Sequence, residues 1–432
     1  MATIKQVIAR EILDSRGNPT VEAKVVLNDG TSVDASVASG LSKSTYEAFE
    51  LRDNDTKRYN GQGVQNAIAN IATQIAPKII GMEVTAQQQI DRLMIELDGT
   101  KIKSRLGANA MLAVSMAVAK AGAKSLSLPL FVYLRNFIDR ENVHLKIPTP
   151  AFNIVNGGQH GGHNTNFQEF LIIPASNKSF SDSLHMGCQI YGNLKEVLRK
   201  NNLTALTGDE GGFAPILDTN EDGFSLIKQA IDATSLRLGY DVFTGLDASA
   251  NHFFIDEHYK IKDKSSAIVA GDLTTMYEEL IKKYHCIYLE DPLQEDDWAG
   301  WGSLFPRLSP RSLIVGDDLT ATNPLRLQLA LIKKAINGIT IKPNQIGTVI
   351  ESIAVAEMAR LSGMKSVVSS PSGETTDDFI ADFAVAVGAD YVKFGAPARG
   401  ERVVKYNRLL QIESQLITAT GGTSNTAESL VK

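Results

Sequence analysis

Residues 286–292, CIYLEDP, form a short apolar run that ends in two carboxylates and a proline. A run of this length and composition predicts a buried β-strand that ends in polar groups. The same form recurs in five further stretches, each followed by a helical pattern: DVFTGLDAS (241–249), SLIVGDDL (312–319), GITIKPN (338–344), SVVSSPS (366–372) and YVKFGAP (391–397). The later repeats lie roughly 25 residues apart, the length of one βα unit, so a parallel α/β barrel is predicted.

An open, doubly wound sheet is the alternative architecture for such a series. It is less favoured because the units are too many for a compact dinucleotide-binding domain. In addition, neither G-x-G-x-x-G nor G-x-x-x-x-G-K-[ST] occurs in the chain.

The first part of the chain has a different pattern. Alternating apolar runs joined at NDG (28–30) predict a small antiparallel sheet, and helical periodicity follows over about residues 65–134. We therefore expect an α+β domain over residues 1–138 and the barrel over residues 139–432.

The composition favours a small-molecule ligand over a polymer or a membrane. The 432 residues carry a formal net charge of −6 without a long basic run, which argues against nucleic acid and anionic membrane surfaces. Lys5, Arg10 and Glu11 interrupt the N-terminal segment, so no secretory signal is expected. Cys188 and Cys286 show no disulfide or metal spacing and are expected to be buried thiols of a cytoplasmic protein.

Three acids stand at equivalent positions, at the ends of successive predicted strands: Asp247, Glu290 and Asp317. The C-terminal strand ends of a parallel barrel meet at one mouth, where active sites lie. Carboxylates gathered there repel one another and lose hydration, and a hard divalent cation relieves both effects. Any one of these acids alone could cap a helix or pair with a lysine. The three together predict a Mg²⁺ site, because Mg²⁺ prefers oxygen ligands.

Two lysines and a serine end the later strands. Lys342 is predicted to project into the same mouth, where burial beside a dication would lower its pKa toward that of a general base. Its alternative role is a structural counter-ion for the acids. Lys393 is open to the same alternative, and its charge suits a substrate carboxylate. Ser370 completes the set of strand-end residues.

Two glycine-rich stretches lie earlier in the barrel domain. In TGDEGGFAP (207–215), Glu210 is followed by glycines, which permit unusual backbone angles and the close approach of a ligand. In NGGQHGGHNTNFQEF (156–170), His160 lies among the glycines, and Gln168 and Glu169 follow. The second stretch is a weak signal by itself, because a glycine-rich loop with one histidine is more often a turn than a site.

Taken together, these stretches resemble the enolase family over nearly the whole chain. The matching segments include EILDSRGNPTVE, YEAFELRD, LDGT, GANAMLAVSMA, NGGQH, QEF, GDEGGFAP, LDAS, LEDP, GDDL, IKPNQIG, SGET and VKFGAPARGER, in that order. The resemblance implies an eight-stranded enolase-type α/β (TIM-like) barrel with an N-terminal α+β capping domain, whose first barrel strands depart from simple βα alternation. It also implies a Mg²⁺-dependent lyase of glycolysis that converts 2-phosphoglycerate to phosphoenolpyruvate.

The resemblance also assigns catalytic roles by position. Lys342 would take the proton from C2 of the substrate, and Glu210, supported by Glu169, would protonate the departing C3 hydroxyl. The other residues expected to contact the substrate are His160, Gln168, Ser372 and Lys393.

Metal binding and assembly are implied in the same way. Asp247, Glu290 and Asp317 would hold one Mg²⁺, and Ser39, in a mobile lid, would help to place a second. Enolases are usually homodimers or larger assemblies, and Arg16 and Glu401 match a pair that can meet across the family interface.

The chain departs from the family where the phosphate is bound. The family has His-Arg-Ser where this chain has SPS (370–372), and the arginine clamps the phosphate. Losing such a bidentate pair costs on the order of 3–6 kcal/mol when nothing compensates. Three functions follow from this departure. The chain could be a working enolase in which Lys43, in the lid, supplies part of the missing charge. It could instead be a paralogue that abstracts an α-proton from an acid with a smaller or differently placed anionic group, or a non-catalytic binding protein on the same fold.

Overall fold

The computed structural model describes residues 2–40, 44–139 and 145–419. In chain order, the strands are β1 (Ile4–Leu13), β2 (Pro19–Leu27), β3 (Ser32–Ser36), β4 (Thr149–Pro150), β5 (Phe152–Asn156), β6 (Glu169–Pro174), β7 (Val242–Asp247), β8 (Phe254–Ile255), β9 (His258–Tyr259), β10 (Cys286–Glu290), β11 (Leu313–Gly316), β12 (Gly338–Ile341), β13 (Lys365–Ser369) and β14 (Tyr391–Lys393). The α-helices are α1 (Gln65–Asn70), α2 (Ala76–Ile79), α3 (Gln87–Asp98), α4 (Ala108–Ser125), α5 (Leu130–Leu134), α6 (Phe180–Lys200), α7 (Asp222–Asp232), α8 (Ala270–Tyr284), α9 (Trp298–Leu308), α10 (Pro324–Lys333), α11 (Pro343–Ile346), α12 (Val349–Leu361), α13 (Phe379–Ala386) and α14 (Gly400–Ala419). A π-helical turn, Ile71–Ile75, joins α1 to α2, and 3₁₀ turns lie at Tyr59–Gly61, Arg135–Phe137, Gly158–Gly161 and Ala250–Phe253.

The N-terminal part contains an antiparallel sheet in the order β1-β2-β3. Its β2–β3 hairpin turns at Asp29 and Gly30. The Asp29 carboxylate accepts a hydrogen bond from Thr31 N (2.8 Å), and Gly30 has a φ of 88°. The turn predicted from NDG is therefore confirmed. Helix α4 is buried along nearly all its length, because its alanines allow close packing on this sheet.

The second part is a closed eight-stranded barrel. Its strands follow the order β4-β14-β13-β12-β11-β10-β7-β6-β5, and β4 and β5 are two pieces of one strand, separated only by Ala151. Ala151 N donates to Val392 O (2.8 Å), which continues the pairing across the break. The predicted barrel with a capping domain is confirmed, and the doubly wound open sheet is wrong.

One strand of the barrel runs against the others. β6 pairs antiparallel with both β5 and β7, which is the departure from βα alternation that the family resemblance implies. Because β6 is reversed, its first residue, Glu169, lies beside the last residue of β7, Asp247. In a parallel pair these two carboxylates would lie at opposite ends of the barrel. The reversal therefore adds Glu169 to the mouth.

The inside of the barrel below the mouth is filled by side chains that are almost completely buried: Ala151, Leu171, Ile173, Tyr288, Val315 and Val367. Inward-pointing side chains of this kind fill a parallel barrel as a packed core. The charged groups of the mouth therefore lie on an apolar floor, where the interactions between charges are strong.

The capping domain is fixed to the barrel just beyond the end of β13. Lys120, on α4, lies 2.7 Å from both carboxylate oxygens of Asp377. Asp377 also accepts a hydrogen bond from Ser36 N, at the end of β3 (2.9 Å). These hydrogen bonds and this ion pair join the cap to the barrel.

Two further predictions have a structural outcome. Within the described ranges, no single helix is long and apolar enough to cross a membrane; α4 and the segment Leu130–Phe137 meet the length and composition test only as a pair, bent by 105°. Cys286 is buried, as predicted. Cys188 is exposed, so the prediction is wrong for this residue, which lies on the outer face of the amphipathic helix α6.

Candidate active site

The strand ends bring the predicted acids to one mouth. Glu290, at the end of β10, pairs in register with Asp247 at the end of β7. Asp317 follows β11, the other neighbour of β10. All three carboxylates are buried, and Glu290 has no exposed surface. The strand-end rule therefore locates these side chains correctly.

Lys393 lies at the centre of the buried acids. Its Nζ is 2.8 Å from Glu169 Oε2, 2.8 Å from Asp247 Oδ2 and 2.9 Å from Glu290 Oε2. Burial raises the pKa of Asp247 to about 6 and that of Glu290 to about 7, and the ammonium group of Lys393 opposes both shifts. Lys393 thus acts as a counter-ion for three carboxylates, the alternative that the sequence leaves open.

Glu290 has two neutral donors that sequence analysis does not identify. Tyr288 OH donates to Glu290 Oε2 (2.5 Å), and Thr340 Oγ1 donates to Glu290 Oε1 (2.8 Å). Tyr288 lies two residues before Glu290, and Thr340 lies two residues before Lys342. Because side chains alternate along a strand, residues two apart point to the same side, here the barrel interior. That alternation is the signal that could have identified them. Together with Lys393 they fix the plane of the carboxylate.

Lys342 is bound to a different acid. Its Nζ forms a short ion pair with Asp317 Oδ2, while Gln345 Nε2 donates to Asp317 Oδ1 (2.9 Å). Burial lowers the pKa of Lys342, but Asp317 and Glu290 raise it more, so the pKa lies above its usual range. The protein groups alone do not produce the lowered pKa of Lys342 that the sequence predicts. The pKa is raised instead because Lys342 contacts Asp317 directly.

Two sets of side chains place ligand atoms within 4.8 Å of one another, close enough to share a cation: Asp291, Asp317 and Asp318, and also His160, Glu169 and Glu210. Sequence analysis does not single out Asp291 and Asp318, although each directly follows a predicted ligand. Asp291 accepts the backbone N–H groups of residues 317 and 318 (3.0 and 2.7 Å), so it also orients the Asp317 turn.

The predicted trio of ligands is not one of these sets in the described part of the chain, and Lys393 Nζ contacts both Asp247 (2.8 Å) and Glu290 (2.9 Å). The donors nevertheless suit Mg²⁺. They are carboxylate oxygens, and Asp247 Oδ1 is buried without a hydrogen-bond partner in the part of the chain that the structure describes. A hard cation would supply the interaction that this oxygen lacks.

Glu210 lies on the other side of the mouth, next to His160. Glu210 Oε1 is 3.8 Å from His160 Nδ1, and Asn153 Nδ2 donates to Glu210 Oε2 (3.2 Å). Burial raises the pKa of Glu210, but His160, Arg402 and Lys393 outweigh burial and hold the pKa at about 2. The protein's own groups therefore keep this carboxylate ionised.

Ser39 does not belong to either set of residues that could share a cation. Its hydroxyl donates to Asp14 Oδ2 (2.6 Å), and its backbone N–H and C=O both pair with Gly373 (2.7 and 2.9 Å). A Cβ at Gly373 would lie 2.4 Å from Asp14 Oδ2, so only glycine allows this close approach. The lid residue Lys43 lies outside the described residues.

We call residues 370–372 the tip. Two arginines that sequence analysis does not assign to the site donate hydrogen bonds to the tip. Arg402 donates to Ser370 Oγ (3.2 Å) and to Pro371 O (3.1 Å), and Arg16 Nη1 donates to Ser372 Oγ (3.1 Å). Arg16 therefore has partners within its own chain, and its pairing with Glu401 of a second subunit stays a prediction.

One pocket connects these groups. Its acidic lining residues are Glu169, Glu210, Asp247, Asp291, Asp317 and Asp318, its basic ones are His160 and Lys342, and the rest are Gly40, Gln168, Ser249, Ser369, Ser370, Pro371 and Ser372. Most of the predicted site residues therefore share one pocket, while Glu290 and Lys393 lie buried behind it. Among the described residues, no arginine lines it.

The chain matches two family models, which divide it at the same place as the two parts of the structure. "Enolase, N-terminal domain" matches residues 4–134, and "Enolase, C-terminal TIM barrel domain" matches residues 144–427.

Proposed function

The chain belongs to the enolase family, and on this basis we propose that it is a hydro-lyase that dehydrates 2-phosphoglycerate to phosphoenolpyruvate. The observation that carries the proposal is the composition of the pocket. Lys342 and Glu210, the proposed base and acid, line it together with the carboxylates at the strand ends. This is the set of groups that β-elimination from a hydroxy acid requires.

The reaction begins with removal of a very weakly acidic proton next to a carboxylate. Lys342 is half-buried at the edge of the pocket and is the proposed acceptor of that proton. Mg²⁺ held by Asp247, Glu290 and Asp317 would stabilise the second negative charge that develops on the substrate carboxylate. Because Asp317 raises the pKa of Lys342, neutralising the charge of Asp317 would lower that pKa and leave more of Lys342 in the unprotonated form that can accept a proton.

Departure of the hydroxyl group needs a proton on the opposite side of the pocket. Glu210 is the proposed donor, but its pKa of about 2 means that it has to be protonated first. His160 is placed to share that proton, since its Nδ1 lies 3.8 Å from Glu210 and 3.3 Å from Glu169. Asn153 holds the Glu210 carboxylate in position from the strand β5.

A second candidate function is favoured by the tip. Pro371 stands where the family has its phosphate-binding arginine, and the pocket has many acids and few bases. These features suit a hydroxy acid with a smaller anionic group, or one placed elsewhere, processed by the same α-proton abstraction. In the first candidate, Lys43 supplies part of the missing charge, and Lys43→Ala raises KM for 2-phosphoglycerate.

The deciding experiment follows the absorbance of phosphoenolpyruvate with 2-phosphoglycerate and Mg²⁺, using the wild-type chain and Pro371→Arg. Turnover by the wild type supports the first candidate. Turnover only after Pro371→Arg supports the second, because it shows that the catalytic groups are intact and the phosphate site is not. Pro306→Arg, at an exposed position on α9, is the matched control for an added arginine. Inactivity of both the wild type and Pro371→Arg would contradict the first candidate.

We also propose that the chain forms a homodimer or a larger assembly in the cytoplasm. The support is its membership of the enolase family. Light scattering of the purified protein tests the assembly, and a mass equal to one chain would contradict it.

A further inference from the structure

Arg402 is a fully buried charge near the pocket that the proposed mechanism does not use. It lies in the first turn of α14, and none of its surface is exposed. A guanidinium group keeps its proton in a protein, so this position holds a permanent positive charge. A buried charge of this kind is costly unless hydrogen bonds surround it.

The hydrogen bonds of Arg402 connect two separate loops. On one side, Nη1 donates to Ser370 Oγ (3.2 Å) and Pro371 O (3.1 Å), and Nη2 donates to Ser372 O (2.5 Å). On the other side, Nη2 donates to Asp209 O (3.5 Å), next to Glu210. One side chain therefore spans from the tip to the loop that carries the proposed acid.

The local packing is built around this side chain. Gly395 has a φ of 90°, and a Cβ there would lie 3.0 Å from Arg402 Cδ and 2.7 Å from Glu210 O. A larger residue at 395 would push Arg402 and the Glu210 loop apart. The glycine thus allows the three segments to meet.

Carboxylates neutralise the charge of Arg402 only in part. The nearest is Glu401, whose Oε1 is 3.8 Å from Arg402 Nε, and this Nε is buried without a hydrogen-bond partner among the described residues. The charge also contributes to lowering the pKa of Glu210, and it opposes the rise that burial causes in the pKa of Glu374. Arg402 therefore supplies a positive charge next to Pro371, the position where the family has an arginine, but from outside the lining of the pocket.

We propose that Arg402 is a positioning residue that fixes the tip against the Glu210 loop. It binds the carbonyl oxygens of Pro371 and Ser372 from outside the pocket, which turns these acceptors away from an incoming anion. The tip is then left with the hydroxyl groups of Ser370 and Ser372 as donors for the distal anionic group of the substrate, since Ser370 N donates to Lys393 O and Pro371 has no N–H. The functional part of this inference rests on the proposed hydro-lyase function.

The first test is hydrogen–deuterium exchange of the whole chain, read in peptides that cover residues 208–212 and 369–374. Arg402→Lys keeps the charge but loses the fork that reaches both loops. Exchange in both segments is expected to become about tenfold faster or more, because charge-assisted hydrogen bonds to each are lost. Arg408→Lys is the matched control, since it lies on the same helix and contacts Asp382 instead.

The second test is steady-state kinetics of the same variants with 2-phosphoglycerate and Mg²⁺. Arg402→Lys is expected to raise KM and lower kcat, each about tenfold, because both the anion site and the acid move, whereas Arg408→Lys changes neither. A purely structural role would reduce the amount of active enzyme and leave KM unchanged.

The two tests separate the failure of this inference from the failure of the proposed function. An inactive wild type would contradict the function, while the exchange experiment would still decide whether Arg402 joins the two loops. Faster exchange in only one segment, or throughout α14, would overturn the inference. If the wild type is active and Arg402→Lys shows faster exchange in both segments but unchanged KM and kcat, the inference would also be overturned.

Discussion

The two ends of the pocket are organised by different means. At one end, which we call the carboxylate end, Asp247, Glu290 and Asp317 stand on or next to paired strands, and lysines lie between them. At the other end, the tip is held by Arg16 from the capping domain and Arg402 from α14. The carboxylate end is thus part of the barrel itself, whereas the tip depends on residues far away in the sequence.

Under the proposed function, this difference separates the chemistry from the recognition of substrate. The groups at the carboxylate end are fixed by the sheet, so their arrangement is insensitive to changes in loops. The tip can change its ligand when one loop residue or one supporting arginine changes. A family member can therefore keep its proton transfer and alter its substrate, and under the second candidate function Pro371 is a change of this kind.

The largest expected effect tests the carboxylate end directly. Lys342→Met removes the proposed base, and kcat is expected to fall by about 10²–10⁴, the usual contribution of general acid–base catalysis. Mg²⁺ affinity should persist, because the strand-end carboxylates remain. Lys365→Met is the control, since Lys365 is exposed at the other end of the barrel and pairs with Asp390. A kcat within a few-fold of wild type would show that Lys342 is only a counter-ion.

The second prediction concerns Mg²⁺ binding at the same end. Asp317→Asn removes one charge from a proposed ligand, and calorimetry is expected to show a dissociation constant for Mg²⁺ that is larger by at least about tenfold. The control is Asp256→Asn, because Asp256 is 83% exposed on a surface hairpin. Equal affinities for both variants and the wild type would exclude Asp317 as a ligand.

The sequence predicts the carboxylate end better than the tip, for a physical reason. Strand-end positions follow from apolar runs, so the places of Asp247, Glu290 and Lys342 can be predicted without a structure. Lys393 is predicted at the mouth, but its contact with three carboxylates is not, because strand patterns do not indicate which way a long side chain turns.

The supports of the tip could not be predicted in this way. Arg16 lies 356 positions before Ser372, and no periodicity connects them. The contact of Glu169 with Asp247 depends on the reversal of β6, and only the family resemblance indicated that reversal. Contacts between distant segments depend on how whole domains pack, and the local sequence does not encode them.

A third prediction tests whether the floor of the barrel supports the carboxylate end. Tyr288→Phe removes the hydroxyl that donates to Glu290 but keeps the ring in the barrel core. Mg²⁺ affinity is expected to fall by about tenfold, since residues that orient a metal ligand typically contribute at least that much. Tyr391→Phe is the matched control, because Tyr391 faces Tyr288 from β14 without contacting Glu290. Unchanged Mg²⁺ affinity in Tyr288→Phe would mean that Thr340 and Lys393 alone orient the carboxylate.

The smallest expected effect belongs to the tip. Arg16→Met removes the donor to Ser372 Oγ (3.1 Å) and to Ser39 O (3.3 Å), so the Ser372 hydroxyl loses its fixed orientation. KM for the substrate is expected to rise about fivefold, which corresponds to about 1 kcal/mol, the usual net contribution of one hydrogen bond. Mg²⁺ affinity and kcat should stay unchanged, because no strand-end carboxylate contacts Arg16. Arg10→Met is the control, since Arg10 is exposed on the preceding strand and pairs with Glu22. If Arg16→Met changed Mg²⁺ affinity as much as KM, the two ends of the pocket would not be independent.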